Sequence, residues 1–522
     1  MNFVKNFTSF LIAFSVLLLS ACKKDAQLAQ DALAYVPATS TMVSAVNLKK
    51  LMEKADFESV RKMDFYQAML KETEQKSPEL NRILLDPESS GIDLDQKMYM
   101  AIDVNPANPE DMISYLLLPL KNASDFANTF KSYSGNITKK DGINLFHLSD
   151  DDNVAISWNE RMAVFALSNT RENSWTDNML KIYKPSTSNP LASNPKLQKL
   201  VEADHDFVSW MSTDALAENE SAGFALNMID VHPEALKGNY IASYGDFEKG
   251  KITGHADFFL NKSLGEGFIG RFFNKEASTD FSKILPGDNL LFAVSGALDL
   301  VGTDKFLSER PQSKDYADFV LNDLGMKRKD LIEVFGGDVM VAAYQSSDSS
   351  DDPTFLLAAN VKNRKKGQEF LDLAEKEGKL KKTGEGQYKI VSLGNEDFSI
   401  TRSRGMGYIL LKNDMLLFST EIEMVEKVKA GTASTISQTN KEIQSLFNGQ
   451  TLAGWMDMAR MNENLKGLQS NWMKEMKFNI NSKGADFNME TSEPDNNSLN
   501  TLFKMMNEAY LQRGKDWEEK SM

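Results

Sequence analysis

Val154-Ala155-Ile156-Ser157-Trp158-Asn159-Glu160-Arg161-Met162-Ala163-Val164-Phe165 and Gly407-Tyr408-Ile409-Leu410-Leu411-Lys412-Asn413-Asp414-Met415-Leu416-Leu417-Phe418 carry one design twice. Each is an apolar run, a short polar break containing Asn, and a second apolar run. Short apolar runs bounded by turn residues read as strands. Asn suits the break because it tolerates left-handed backbone. Upstream, Tyr35-Val36-Pro37 followed by Met42-Val43-Ser44-Ala45-Val46 is similar to Ile284-Leu285-Pro286 followed by Leu291-Phe292-Ala293-Val294-Ser295. Downstream, Phe207-Val208-Ser209-Trp210-Met211 is similar to Leu452-Ala453-Gly454-Trp455-Met456. The order holds at a spacing of about 250 residues, the mark of an internal repeat.

Between these anchors the pattern predicts a strand over 41–47, helices across 51–85 and a hairpin of 97–104 with 112–118. A helix over 124–133 and strands through Leu145, Ile156 and Val164 follow. The second copy repeats the order, with strands at 338–344 and 354–360 and a helix at 365–377. A last helix, 499–511, sets Leu499, Leu502, Phe503, Met506 and Tyr510 on one stripe. Hairpins and meanders predict an α+β fold: two tandem homologous lobes, each a mainly antiparallel sheet with helices packed on one face. The lobes are expected at 35–280 and 281–522. Polar connectors at about 184–195 (KPSTSNPLASNP) and 430–440 (AGTASTISQTN) divide each lobe.

The 522 residues carry 59 Lys and Arg against 74 Asp and Glu, a net charge of −15. An acidic chain lacks the basic face that displaces counterions from phosphates, so nucleic acid is not an expected partner. A mean hydropathy of −0.38 excludes a protein of many membrane spans. One Cys excludes an internal disulfide framework and any multi-Cys zinc site.

That Cys has a telling place. Lys5 precedes an apolar stretch from about Phe10 to Leu19, too short to span a bilayer core as a helix and the right length for a secretory signal. The stretch ends Leu19-Ser20-Ala21-Cys22, which resembles the bacterial lipobox. The resemblance implies a signal peptide over 1–21, cleavage before Cys22, diacylglycerol on its thiol and acylation (palmitate) of the new amine. Several chains together hold a protein at a membrane, where one alone holds it marginally. Residues 22–34 then form a lipidated tether. Asp does not follow Cys22 directly, so the known inner-membrane retention signal is missing, and Lys23-Lys24-Asp25 partly resembles the surface-export tag of Bacteroidota lipoproteins. An outer-membrane anchor is expected, with the leaflet undecided.

Other motifs fail on context. Gly265-Glu266-Gly267-Phe268-Ile269-Gly270 has dinucleotide-binding spacing, but no βαβ unit surrounds it and Glu266 would repel phosphate; a flexible turn is expected. Gly245 to Lys251 approaches a P-loop, but Ile252 stands where Mg²⁺ needs a hydroxyl, and a hairpin turn is expected. Asp204-His205-Asp206 resembles a metal triplet, yet its counterpart Asn448-Gly449-Gln450 has no acid or His. Asp150-Asp151-Asp152-Asn153 and 348–352 lack the EF-hand glycine and closing Glu. Trp210 and Trp455 suit a sugar platform or, more simply, a core. No nucleophile–base set is visible, so no catalytic residue, cofactor or metal is assigned, and Cys22 is the one assigned site.

The lipobox, the Tyr35-Val36-Pro37 strand opening and the paired lobes resemble an uncharacterised family of Bacteroidota cell-envelope lipoproteins, a domain of unknown function. The resemblance spans nearly the whole mature chain and implies no activity. The expected function is a membrane-anchored binding or scaffolding module with an envelope-protein or glycan ligand. The alternative is a hydrolase of envelope or host polymers working through paired carboxylates.

Overall fold

The computed structural model describes residues 32–521 except 77, 106–111, 132–135, 148–153, 169–174, 185–190, 218–231, 271–274, 310–313, 316–317, 319–326, 347–352, 392–406 and 465–471. Two compact units form. Unit 1 takes in the described residues of Met1–Gly223, Leu236–Phe259 and Thr491–Met522; unit 2 takes in those of Phe224–Ala235 and Leu260–Glu490.

The described strands of unit 1 are Met42–Asn47 (β1), Lys97–Val104 (β2), Met112–Pro119 (β3), Thr138–Lys140 (β4), Ile143–His147 (β5), Val154–Trp158 (β6), Met162–Ser168 (β7), Phe207–Ser212 (β8), Tyr240–Glu248 (β9) and Lys251–Phe259 (β10). They pair antiparallel in the order β10-β9-β8-β1-β2-β3-β7-β6-β5-β4. Those of unit 2 are Leu290–Ala297 (β11), Phe335–Tyr344 (β12), Thr354–Val361 (β13), Leu380–Gly384 (β14), Gln387–Ile390 (β15), Tyr408–Lys412 (β16), Met415–Ser419 (β17), Leu452–Asp457 (β18), Met473–Ile480 (β19) and Gly484–Thr491 (β20). Their order is β20-β19-β18-β11-β12-β13-β17-β16-β15-β14.

The registers agree as well. In unit 1 Ile156 faces Phe165, Phe165 faces Leu116, Leu116 faces Met100, Met100 faces Ser44, and Ser44 faces Ser209, next to Trp210. In unit 2 the row is Ile409, Phe418, Leu357, Val341, Val294 and Gly454, next to Trp455. In these rows Ile156 and Ile409, and Phe165 and Phe418, hold the same places. The strand alignment upstream is one residue out. Val43 and Ala293 are the residues opposite the two tryptophans, so Val43 corresponds to Ala293 and not to Phe292. A one-residue slip exchanges the faces of a strand, and burial decides it: Val43 and Ala293 are buried, while Phe292 is half-buried.

Helices cover both faces of each sheet, which corrects the expectation of one. Along β3, Leu116 and Leu118 enter a core with Tyr66, Phe126 and Phe130, while Tyr115 and Leu117 enter another with Met179, Leu197 and Trp210. In unit 2, Met340, Ala342, Ile443 and Trp455 fill one core, and Val361, Leu371 and Leu411 fill the other. Continuous apolar runs are what a sheet buried on both sides requires; every residue of β6 is buried. The outermost strands β4 and β14 expose Lys139-Lys140 and Lys381-Lys382, charges that discourage pairing with another edge.

The helix Ser498–Ser521 departs from the expected lobe boundary at 281–522. Leu499 and Phe503 are buried in a unit 1 core, with Leu502 and Met506 packed beside them. Asn500 donates to the Ala55 carbonyl at 2.6 Å. Tyr510, at the end of the predicted stripe, is exposed. The expected connector at 430–440 holds a short helix, Ile436–Thr439, whose Ile436 is fully buried and whose Thr435 and Gln438 form a capping box.

Candidate functional site

The signal peptide, Cys22 and the acidic runs at 150–153 and 348–352 lie outside the described residues. The other sequence candidates resolve into structural roles. The glycine motif lies on a π-helical segment, Ser263–Ile269, and not in a turn. The P-loop-like stretch is the β9–β10 hairpin, as expected, with Gly250 at φ 68°.

Asp204, His205 and Asp206 are each taken up by neighbouring side chains, Asp204 and Asp206 sharing Lys50. Asp206 is fully buried and ion-paired to Lys54 at 2.6 Å and Lys50 at 3.1 Å, and it accepts the Phe247 N–H at 2.6 Å. His205 stacks on Tyr244 with ring centroids 3.8 Å apart, and its Nδ1 lies 2.7 Å from Asp246 Oδ2. Asp204 reaches Lys50 at 3.3 Å. Nearby, Lys97 donates to the Val201 and Ala203 carbonyls, capping the helix Pro195–Glu202. Burial pulls its ammonium down to about 8. Among the described residues no group of three His, Cys, Asp or Glu is placed to hold a metal ion. The cluster ties the helix Leu48–Ala55 to the start of β8.

Trp210 and Trp455 are both buried, as core tryptophans are. Trp210 stacks on Tyr240 at 3.8 Å, Tyr240 on Phe259 at 4.6 Å, and the Lys196 ammonium lies 3.8 Å from the Phe259 centroid. The corresponding unit 2 face is charged. Opposite Trp455 stands Lys477, which meets Glu442 at 2.6 Å and also contacts Glu475.

An open cleft remains, with groups that nothing in the described protein uses. It holds about 300 Å³ between the C-terminal end of the helix Pro78–Leu85, the turn Pro87–Ser90 and the helix Ala123–Thr129. Its walls are set by backbone. Gly91, at φ 80°, lets the turn sit against the second helix; a Cβ there would lie 2.2 Å from the Asn122 carbonyl oxygen. Asn122 caps that helix, accepting the N–H groups of Ser124 and Asp125. Asp86 caps the turn through the Ser89 N–H at 3.3 Å. The Ser90 and Thr129 hydroxyls on the floor donate to the Pro87 and Asp125 carbonyls. Arg82, the Asp125 carboxylate and the Asn128 amide line the cleft without an ion pair or side-chain hydrogen bond among the described residues, and Leu85 supplies an exposed apolar wall. Sequence gave no signal for this site, since Arg82 and Asp125 are ordinary surface residues until the turn brings their helices together.

A family model described as Domain of unknown function (DUF4836) matches residues 34–486. No curated protein matches. Among solved structures, "Structure of crystal form III of TP0453" is 12% identical, with a TM-score of 0.26, covering 47% of this chain and 88% of that one. "Structure of crystal form IV of TP0453" is 11% identical, with a TM-score of 0.27, covering 46% and 85%.

Proposed function

The chain belongs to the DUF4836 family of unknown function, and from that footing we propose that it is a lipid-anchored bacterial envelope protein of the outer membrane acting as a binding module. The observation that carries the anchor is the only Cys of the chain standing at Leu19-Ser20-Ala21-Cys22, directly after a signal-length apolar stretch. No described helix is long and apolar enough to cross a membrane, so acyl chains on Cys22 would supply what such a helix does not. We read the two units as tandem copies of one lobe. The common strand order and the register that runs from the hairpins to both tryptophans support this reading.

The cleft favours binding. It offers unpaired polar groups on a frame of a capped turn and a capped helix, the arrangement of a recognition site. The second reading, a carboxylate-dependent hydrolase, draws on Asp86 and Asp125 sharing that cleft. Asp86 is already engaged as a cap, and the carboxyl that burial raises, Asp103, is partnered by the Thr39 hydroxyl and not by a second acid.

Replacing Cys22 with Ala should move the protein from the membrane fraction to the soluble fraction in a Bacteroidota host. Mass spectrometry should find the native Cys22 peptide acylated. An unmodified thiol, or a variant that still sediments with outer membranes, would refute the anchor. Protease shaving of intact cells decides the leaflet.

A further inference from the structure

We propose that the unit 1 cleft takes a small zwitterion, an amino acid or the end of a short peptide, with its carboxylate on Arg82 and its ammonium between Asp86 and Asp125. The inference rests on the binding-module reading and names the ligand class.

Charges of both signs share the cleft without neutralising one another. Asp86 stands four residues after Arg82, the spacing of an ordinary helical ion pair. The helix Pro78–Leu85 ends before it, however, and Asp86 turns to hold the Ser89 N–H. Asp125 is fixed in the first turn of its own helix. Arg82 is left without a carboxylate among the described residues.

Unit 2 shows the alternative. Asn363 caps the helix Arg364–Lys376 as Asn122 caps Ala123–Thr129. Counting from each cap, Asp125 corresponds to Lys366, and Lys366 is ion-paired to Glu333 of the helix Arg328–Val334. One unit closes this corner with an internal ion pair, and the other leaves the charge open.

Ligand classes sort by what they leave unpaired. A simple anion meets two carboxylates. A simple cation leaves Arg82 unused. An apolar ligand finds one wall, Leu85. A molecule with a carboxylate and an ammonium engages every charge: the planar guanidinium fork donates two parallel hydrogen bonds to a carboxylate, and the ammonium has three donors for two carboxylates. The Asn128 amide remains for a peptide or side-chain carbonyl. A volume of about 300 Å³ is at the lower end for ligand pockets, about 300–1,000 Å³, and suits one or two residues.

The test is calorimetric titration of the full-length, detergent-solubilised chain with L-alanine, L-lysine, L-alaninamide (no carboxylate), 1,5-diaminopentane and glucose. Alanine and lysine should bind, and alaninamide should bind about tenfold more weakly than alanine, as expected for loss of a charge-assisted pair. In Arg82→Gln that ratio should fall to about one. In Asp125→Asn all the ammonium ligands should weaken together. Both side chains are exposed, so folding should be kept, and circular dichroism checks it. The proposal is overturned if no amino acid binds at millimolar concentration, if Arg82→Gln leaves the ratio intact, or if glucose binds as well as alanine. Glucose binding lost in Asp125→Asn would sink the zwitterion while keeping the binding module, and Cys22 fractionation reads the anchor separately.

Discussion

Phe503→Ala tests whether the last helix of the chain holds the unit nearest the N-terminus. Phe503 is 1% exposed, and its ring lies parallel to that of Phe65 at 6.3 Å. Truncating a buried Phe costs about 3–5 kcal/mol, the spread reflecting how far the cavity collapses. Collapse should be limited here. Leu499 and the Asn500 bond to Ala55 hold the turn before the hole, and Leu502 and Met506 pack against the same core, so about 4 kcal/mol is expected. For a unit of this size that lowers the melting midpoint by roughly 10 °C. Two units make a single melting curve ambiguous, so hydrogen exchange read by mass spectrometry is the better assay. Protection should fall in the helices Leu48–Ala55 and Asp64–Lys76, and β12 and β13 should keep theirs. Tyr510→Ala, exposed on the same helix, should shift stability by no more than about 0.5 kcal/mol. Loss of protection starting in unit 2, or a cost below about 1 kcal/mol, would refute the packing argument.

Asp206→Ala strands two half-buried lysines and the Phe247 N–H, and should cost about 3–5 kcal/mol in urea unfolding followed by unit 1 peptides; a cost under about 1 kcal/mol would show that the lysines simply swing into water. Lys97 is held down to about 8, below its unfolded value, so the folded state binds fewer protons than the unfolded chain between pH 8 and about 10.4. Its burial penalty is full below that window and fades as pH rises, so the difference between wild type and Lys97→Met should change by up to about 3 kcal/mol from pH 7 to 10.5; a flat difference would contradict it. Tyr66, Tyr99, Tyr115, Tyr183 and Tyr344 are pushed by burial well above the usual phenol range. Their stabilising effect is present below about pH 10 and lost above it, so ultraviolet titration should show a late phenolate fraction that appears only with alkaline unfolding. Gly91→Ala combines left-handed backbone with a 2.2 Å clash. It should cost more than about 2 kcal/mol and weaken ligand binding by moving the cleft wall.

Backbone-driven features were legible in sequence, and features fixed by long-range contact were not. The hairpin of Ile156 and Phe165 is local, and its apolar runs specify it. Even there the two turns differ. Asn413 is left-handed at φ 52°, as expected, while Asn159 instead accepts the Arg161 and Met162 N–H groups with its side chain. The run Tyr115 to Leu118 is the continuous apolar stretch of a strand buried on both faces, whereas a hairpin pattern by itself implies burial on one. The stripe on the last helix was visible, whereas its destination across more than 400 residues was not. The Asp206 cluster joins residues 152 apart, and nothing in either segment names the other.

The two units show which constraints a sheet enforces and which it leaves free. Ladder hydrogen bonds fix register, so row after row of residues corresponds. Side-chain chemistry on a given face is fixed only by what covers it. Asn194 and Asn440 cap the helices Pro195–Glu202 and Lys441–Phe447 through the same two N–H groups. Counting from those caps, Lys196 corresponds to Glu442. Across the sheets, Tyr240 and Ala242 correspond to Glu475 and Lys477. An aromatic column under a lysine in one unit is thus an ion network under a glutamate in the other, with cap and register unchanged. On the opposite face Leu116 is 6% exposed beneath unit 1's helices, while its counterpart Leu357 is 42% exposed. A swap of charge should follow the same logic. Lys196→Glu removes the cation over Phe259 with no acceptor gained and should cost about 1 kcal/mol. Glu442→Lys sets a second cation beside Lys477, where the Glu442 carboxylate is held below its usual range by that lysine, and should depress the Lys477 pKa. The double variant should match the sum of the single effects within about 0.5 kcal/mol, and a larger deviation of either sign would contradict the assignment of the two faces to different cores.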